Sequence, residues 1–172
     1  MAFINIEIKA RTARAATIRQ YLHDNHAEYK GTDHQTDTYF KVTNGRLKLR
    51  EGDIENNLIY YSRAETAGTR QSDVDMLEAA NPPALKAVLS KAMGILAIVT
   101  KRREIYYIGN VKFHLDTLEG LGEFVEIEAS DKNDDIPVEK LQAQCEYYMG
   151  AFGVRPEDLI QKSYSDMVME IT

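Results

Sequence analysis

The 172-residue sequence predicts an α+β fold dominated by antiparallel sheet. Three features carry that expectation. Polar and apolar side chains alternate strictly in several segments, the period of two that sorts a strand's side chains onto opposite faces. Short turns join most of these segments, which makes neighbouring strands antiparallel. Helical spacing is confined to four stretches between and after them.

The chain opens with a strand in which Ile4, Ile6, Ile8 and Ala10 alternate with Asn5, Glu7, Lys9 and Arg11. From Thr12, a predicted N-cap, Ala15, Ile18, Tyr21 and Leu22 recur at helical spacing to about His26. Strands over 37–42 and 46–50 flank Asn44-Gly45, a strong hairpin signal. After a polar turn, 58–63 is the next strand, 64–72 reads as a loop or hairpin end, and 74–78 has no clear period. Pro82-Pro83 opens a second helix with Leu85, Val88, Leu89 and Ala92 as its apolar stripe and Gly94 as its C-cap. Strands over 97–107, 111–118 and 123–129 follow, separated by Gly109-Asn110 and by Gly120-Leu121-Gly122. Pro137 starts a third helix with Val138, Leu141, Cys145, Tyr148 and Phe152 facing inward and Gly153 at its end. A short helix over 163–169 comes last. No repeat, low-complexity tract or linker divides the chain, so a single domain over 1–172 is expected.

Composition narrows the function classes. A net charge of −6 and a pI near 5.3 argue against duplex DNA or an anionic membrane as partner. No apolar run approaches the ~18 residues of a membrane-spanning helix. The opening residues lack a secretory pattern, and Cys145, the single cysteine, has no internal partner. A cytoplasmic protein is expected.

The charges are not spread evenly. The polar strand faces carry Glu7, Lys9, Arg11, Arg46, Lys48, Arg50, Arg63, Lys101, Arg103, Lys112, Asp116, Glu126 and Glu128. These are nine basic and four acidic residues, a surplus of five positive charges within an acidic chain. The helices need the opposite, apolar faces to pack on, so the charged faces look at water or, if the sheet curves into a barrel, at one another. An enclosed ring of cations costs several kcal/mol per unpaired ion, roughly, even after relaxation. A polyanion would offset that cost, and the four carboxylates suit a hard cation such as Mg2+ bridging to its phosphates.

These residues resemble the CYTH superfamily of triphosphate-tunnel metalloenzymes, which includes class IV adenylyl cyclases, thiamine triphosphatases and inorganic triphosphatases. Asn5-Ile6-Glu7-Ile8-Lys9 is similar to the family's E-x-E-x-K signature. The run from Lys101 and Arg103 through Tyr106-Tyr107, Asp116 and Gly120-Leu121-Gly122-Glu123-Phe124 to Glu126-Ile127-Glu128 is nearest to the class IV cyclase branch. The resemblance implies an eight-stranded antiparallel barrel or tunnel flanked by helices. It implies that Lys9, Arg11, Lys48, Arg50, Arg63, Lys101 and Arg103 hold a triphosphate, with Lys9, Arg63, Lys101 and Arg103 as the catalytic cations. It implies Glu7, Asp116, Glu126 and Glu128 as ligands of Mg2+ or Mn2+. The first signature glutamate is Asn5 here, which offers a neutral oxygen and removes one anionic ligand. Lys162 resembles a C-terminal basic position of some members.

The implied activity is conversion of ATP to cyclic AMP and pyrophosphate. The alternatives are hydrolysis of inorganic, thiamine or nucleoside triphosphate, and a non-catalytic polyphosphate- or nucleotide-binding module. The expected partner is a triphosphate-containing small molecule, not a nucleic acid polymer or a membrane, with a homodimer left open. Among other residues, His23 and His26 read as a solvated helix face and Cys145 as core. His114 shares the face of Asp116 and is a weaker tunnel-wall candidate. Of Tyr60, Tyr61, Tyr106 and Tyr107, at most half would face a tunnel.

Overall fold

Strands with one apolar and one charged face satisfy both by turning the charged face inward and wrapping the apolar face in helices. In the computed structural model, which describes residues 1–63 and 68–172, the chain does this. Eight strands form a closed antiparallel barrel: β1 (Ala2–Arg11), β2 (Glu28–Phe40), β3 (Arg46–Glu51), β4 (Asn57–Arg63), β5 (Arg70–Glu78), β6 (Ile95–Ile108), β7 (Val111–Leu118) and β8 (Gly122–Ser130). Their order around the barrel is β1-β5-β4-β3-β2-β6-β7-β8, with β8 pairing back onto β1.

The main core lies outside the barrel wall. Ile6, Ile8 and Ala10 of β1, Phe113 and Leu115 of β7, and Val125 and Ile127 of β8 are buried against Ile18 and Leu22 of α1 (Ala15–Asp24) and Leu141, Cys145 and Phe152 at α3 (Val138–Ala151). Each such side chain contributes about 1.5–3 kcal/mol by leaving water. On the far side, Phe40 and Leu49 take Leu85 and Leu89 of α2 (Pro82–Met93), while Val88 of the expected stripe stays exposed.

The fourth helix, α4 (Tyr164–Ile171), packs differently. Its Tyr164 and Met167 join Tyr39, Ala97, Val99, Leu118 and Phe124, residues on the inward-facing registers of β2, β6, β7 and β8. Arg46 reaches from β3 to Asp166, and Arg70 of β5 donates to the Gln161 carbonyl. The helix and the segment before it therefore lie across one end of the barrel and form its floor.

Two strands exceed the sequence expectation. β2 begins at Glu28 rather than near 37, and 70–78 is a full strand, β5. In both, the inward face is polar: Asp33, Gln35 and Asp37 in β2, and Arg70 and Ser72 in β5, are buried. No apolar alternation marks a strand whose buried face is itself charged. Residues 64–67 of the expected loop lie outside the described residues. The first helix starts at Ala15, because the Thr12 hydroxyl accepts the Arg14 amide before the helix begins instead of capping it. Gly45 makes the hairpin turn at a φ of 64°, and a Cβ there would meet the Tyr60 hydroxyl at 2.7 Å.

Candidate active site

The barrel encloses a cavity of about 280 Å3 lined by eight basic and four acidic side chains. From the floor upward, Lys9, Lys48, Arg63 and Lys101 come first, then Arg50, Arg103, Glu7 and Glu126, then Glu55, Glu128 and Lys112. Lys132 stands at the mouth. Strand alternation places all but Glu55 and Lys132: the side chains at every second position of β1, β3, β4, β6, β7 and β8 converge on the axis.

A single buried carboxylate organises three of the cations. Asp37, 1% exposed, accepts from Arg50 Nε and Nη2 at 2.9 and 2.8 Å and from Lys101 Nζ at 2.7 Å, and Lys48 Nζ lies 3.9 Å away. Burial pushes the Asp37 carboxyl upward, but Arg50, Lys101 and Lys48 outweigh it and hold it well below the usual carboxylate range. Because one carboxylate serves three cations, Lys101 is undercompensated. Burial pushes its ammonium down to about 7, with Arg103 and Arg50 adding to the effect of desolvation against the pull of Asp37.

Lys9 is more isolated. It is 3% exposed, its Nζ rests 3.8 Å from the Tyr164 ring centroid, and among the described residues no carboxylate lies within ion-pairing distance. Burial pushes it down to about 8, partly offset by Glu126 and Glu7. Arg63 pairs with Glu7 at 2.9 Å. Arg103 is clamped by Asp116 at 2.7 and 2.8 Å and donates to Glu126 at 2.9 Å.

The acidic side gathers on β7 and β8. One ligand atom each from His114, Glu126 and Glu128 lies within 4.8 Å of the others. Burial, followed by the neighbouring charges of Glu126 and Glu7, pushes the Glu128 carboxyl up to about 7. A carboxylate raised by burial and by its acidic neighbours belongs to a donor set that a divalent cation would relieve.

The family described as the CYTH domain matches residues 4–164, nearly the whole chain. The chain belongs to the CYTH family. No curated protein matches it in sequence. Among solved structures, the PH1012 protein of Pyrococcus horikoshii OT3 is 23% identical, with a TM-score of 0.79 over 94% of this chain and 98% of that one. A Vibrio parahaemolyticus protein provisionally assigned as an adenylate cyclase is 16% identical, with a TM-score of 0.80 over 96% and 98%. HpAC1 of Hippeastrum, first assigned as an adenylyl cyclase and described as having a dominant triphosphatase activity, is 17% identical, with a TM-score of 0.59 over 88% of both chains. At these identities the likeness is one of fold.

Within this CYTH barrel, Glu7, Lys9, Lys48, Arg50, Arg63, Lys101, Arg103, Glu126 and Glu128 all line the cavity, as does Asn5. Arg11 and Asp116 do not. Arg11 has the parity of Lys9 but sits where β1 leaves the barrel, exposed over the Phe124 ring and donating to the Leu121 carbonyl. Asp116 has the inward parity of Lys112 and His114 but is buried at the floor beneath its partners, holding Arg103 and the Tyr164 hydroxyl. Lys162 is exposed and bound to Glu170. Tyr61 and Tyr107 face the cavity; Tyr60 and Tyr106 do not line it.

Sequence reasoning missed Asp37, Glu55, Lys132 and Tyr164. Glu55 is carried by the 52–56 turn, which the Asp33 carboxylate fixes by accepting the amides of Asp53, Ile54 and Glu55. Glu55 then meets Lys112 at 2.5 Å and Arg50 at 3.5 Å. The mouth has an apolar wall that was also missed: Phe3, Ile59, Val74 and Met76 form one cluster and line the cavity. Among the described residues, no helix is long and apolar enough to cross a membrane.

Proposed function

We propose that the protein is a metal-dependent enzyme acting on an organic triphosphate, with ATP cyclisation to cyclic AMP and pyrophosphate as its reaction. The observation that carries the phosphate reading is Lys9: a buried cation, lining a cavity with more positive than negative walls, that among the described residues no carboxylate approaches within ion-pairing distance. A polyphosphate supplies the missing charge. Lys9, Lys48, Arg63 and Lys101 hold the deep end of its chain, and Arg50 and Arg103, whose Nε–Nη2 forks stay on Asp37 and Asp116, turn their remaining N–H groups to the middle.

The apolar wall of Phe3, Ile59, Val74 and Met76 favours a substrate with an organic end over inorganic triphosphate. A phosphate tail on the cationic floor leaves that end at the mouth, where an aromatic base can pack. Glu126 and Glu128, with Glu7, are the residues that would hold Mg2+ or Mn2+, which when bound neutralises charge developing on the phosphates. In the cyclase reaction the ribose 3′-oxygen bonds to the α-phosphorus as the bond from that phosphorus to the bridging oxygen breaks. The pyrophosphate leaves with the electron pair, held by the cations of the floor. The hydroxyl proton passes to a carboxylate of the acidic group.

Hydrolysis is the second reading, supported by the polar mouth of Asn110, Ser130 and Asn133, which admits water. The reactions share one cradle and differ in nucleophile. A cytoplasmic location fits the lone, buried Cys145. The test is incubation of the purified protein with ATP, and separately with inorganic triphosphate, plus Mg2+ or Mn2+, with every product identified. Cyclic AMP and pyrophosphate support cyclisation. ADP and phosphate support hydrolysis. Binding without turnover of either substrate overturns both and leaves a binding module.

A further inference from the structure

We infer that His114 is a nitrogen ligand of the divalent metal held by Glu126 and Glu128, and that it tilts the site towards Mn2+, Co2+ or Zn2+ over Mg2+. The inference rests on the metal reading above and adds to it a ligand and a preference.

The β7–β8 register sets His114 directly opposite Glu126, two residues along from the Lys112–Glu128 pair and on the same inward face. Ligand atoms of the three residues already lie within 4.8 Å of one another. Bonds of about 2.1 Å place the donors of one ion up to about 4.2 Å apart, so closing on a metal asks for side-chain movements of only a few tenths of an ångström.

The second observation is independent of the carboxylates. His114 is 1% exposed, yet among the described residues neither of its ring nitrogens has a hydrogen-bond partner. Its nearest acidic oxygen, Glu128 Oε1, is 3.8 Å from Nδ1, too far for a hydrogen bond. A buried imidazole normally has both nitrogens engaged, and leaving a buried polar group unmet costs about 1–3 kcal/mol. One of the two nitrogens can find its partner in a cation shared with Glu126 and Glu128. Arg103 occupies only Oε1 of Glu126, so a carboxylate oxygen is left for the ion.

The metal preference follows from the donor atoms. Mg2+ seeks oxygen ligands in a near-ideal octahedron and keeps its waters, so it gains little from an imidazole. Later divalent metals accept imidazole nitrogen readily, and their affinity for such a site rises along the first transition row.

The test reads coordination directly. Pulsed electron paramagnetic resonance on Mn2+ bound to the wild-type protein should show nitrogen modulation that changes when histidine is supplied with 15N. His114→Gln, which exchanges the nitrogen donor for an oxygen, should abolish the modulation. It should also lower the Mn2+-over-Mg2+ preference, measured by competition for bound Mn2+, at least tenfold. Mn2+ that binds, is lost in Glu126→Gln, and shows no nitrogen modulation in the wild type would overturn the His114 assignment and leave the carboxylate site standing. Modulation that persists in folded His114→Gln overturns it equally. Failure of the wild type to bind Mn2+ at all removes the metal site itself.

Discussion

Replacing Asp37 by asparagine should weaken the fold and strengthen triphosphate binding at once. Asp37 is the shared counter-charge for Arg50, Lys101 and Lys48, all buried or nearly so. Removing one partner of a buried ion pair costs about 3–5 kcal/mol, because the other charge is stranded. In a chain of this size about 1 kcal/mol corresponds to 2–4 °C of melting temperature, so the empty variant should melt ~6–20 °C lower. Triphosphate returns negative charge to the same three cations. In the wild type a hundredfold excess over Kd adds about 2.7 kcal/mol by mass action. In Asp37→Asn the stabilisation at equal concentration should be larger, because the ligand replaces a charge that the wild type already has. Thermal melts of both proteins, with and without inorganic triphosphate, decide the matter, with calorimetric titration to give affinities. An equal loss of stability with and without saturating triphosphate, together with weaker binding by the variant, would show that Arg50, Lys101 and Lys48 do not face the phosphates.

Three further outcomes are expected. Between pH 7 and 9 the ligand-free protein should become more stable as pH rises: Lys101 and Lys9, held down to about 7 and about 8 by burial, release protons that the unfolded chain, with lysines near 10.5, still binds. Each contributes up to about 1.4 kcal/mol per pH unit above its own value; bound triphosphate draws the protons back, so its affinity should fall over the same range, and a flat affinity profile refutes the placement. Phe3→Ala with Met76→Ala should raise the KM for ATP about tenfold, the loss of ~1.4 kcal/mol of apolar contact, and leave binding of inorganic triphosphate unchanged; equal effects on both ligands would remove the apolar wall from the substrate. Glu126→Gln and Glu128→Gln should each weaken the dependence of turnover on divalent metal, Glu128→Gln with the melting temperature kept within a few degrees and Glu126→Gln with a larger drop because buried Arg103 loses part of its counter-charge, and wild-type rates at limiting Mg2+ in both variants would take them out of the site.

The parts of the fold legible in the sequence are those whose outer face is apolar. β1, β7 and β8 alternate cleanly because Ile6, Phe113 and Ile127 pack against helices while Glu7, Lys112 and Glu128 point inward. The first part of β2, before Asp37, and the start of β5 were unreadable because their buried residues are Asp33, Gln35, Arg70 and Ser72, a pattern that single-sequence periodicity treats as loop. Alternation also says nothing about where a strand leaves the barrel, so Arg11 shares a parity with Lys9 and not a location. Asp37 was within reach: the Asn44-Gly45 turn pairs it with Arg50, and an acidic residue opposite a basic one on an inward face marks a buried ion pair. Tyr164 was not, since no local signal says that a terminal helix will return across the end of the barrel and offer its ring to Lys9.

The helix across the floor has a kinetic consequence. With Tyr164 and Met167 packed onto Tyr39, Val99 and Phe124 at that end, traffic of substrate and product uses the opposite mouth. A substrate that enters phosphate-first places its leaving pyrophosphate deepest and its organic product nearest the exit. Under the proposed cyclisation, departure is then ordered: the organic product goes first, and pyrophosphate, held by Lys9, Lys48, Arg63 and Lys101 as proposed, goes last. For that reaction, release of the inorganic product should be the slow step, and pyrophosphate added from outside should compete with the incoming substrate for the empty pocket.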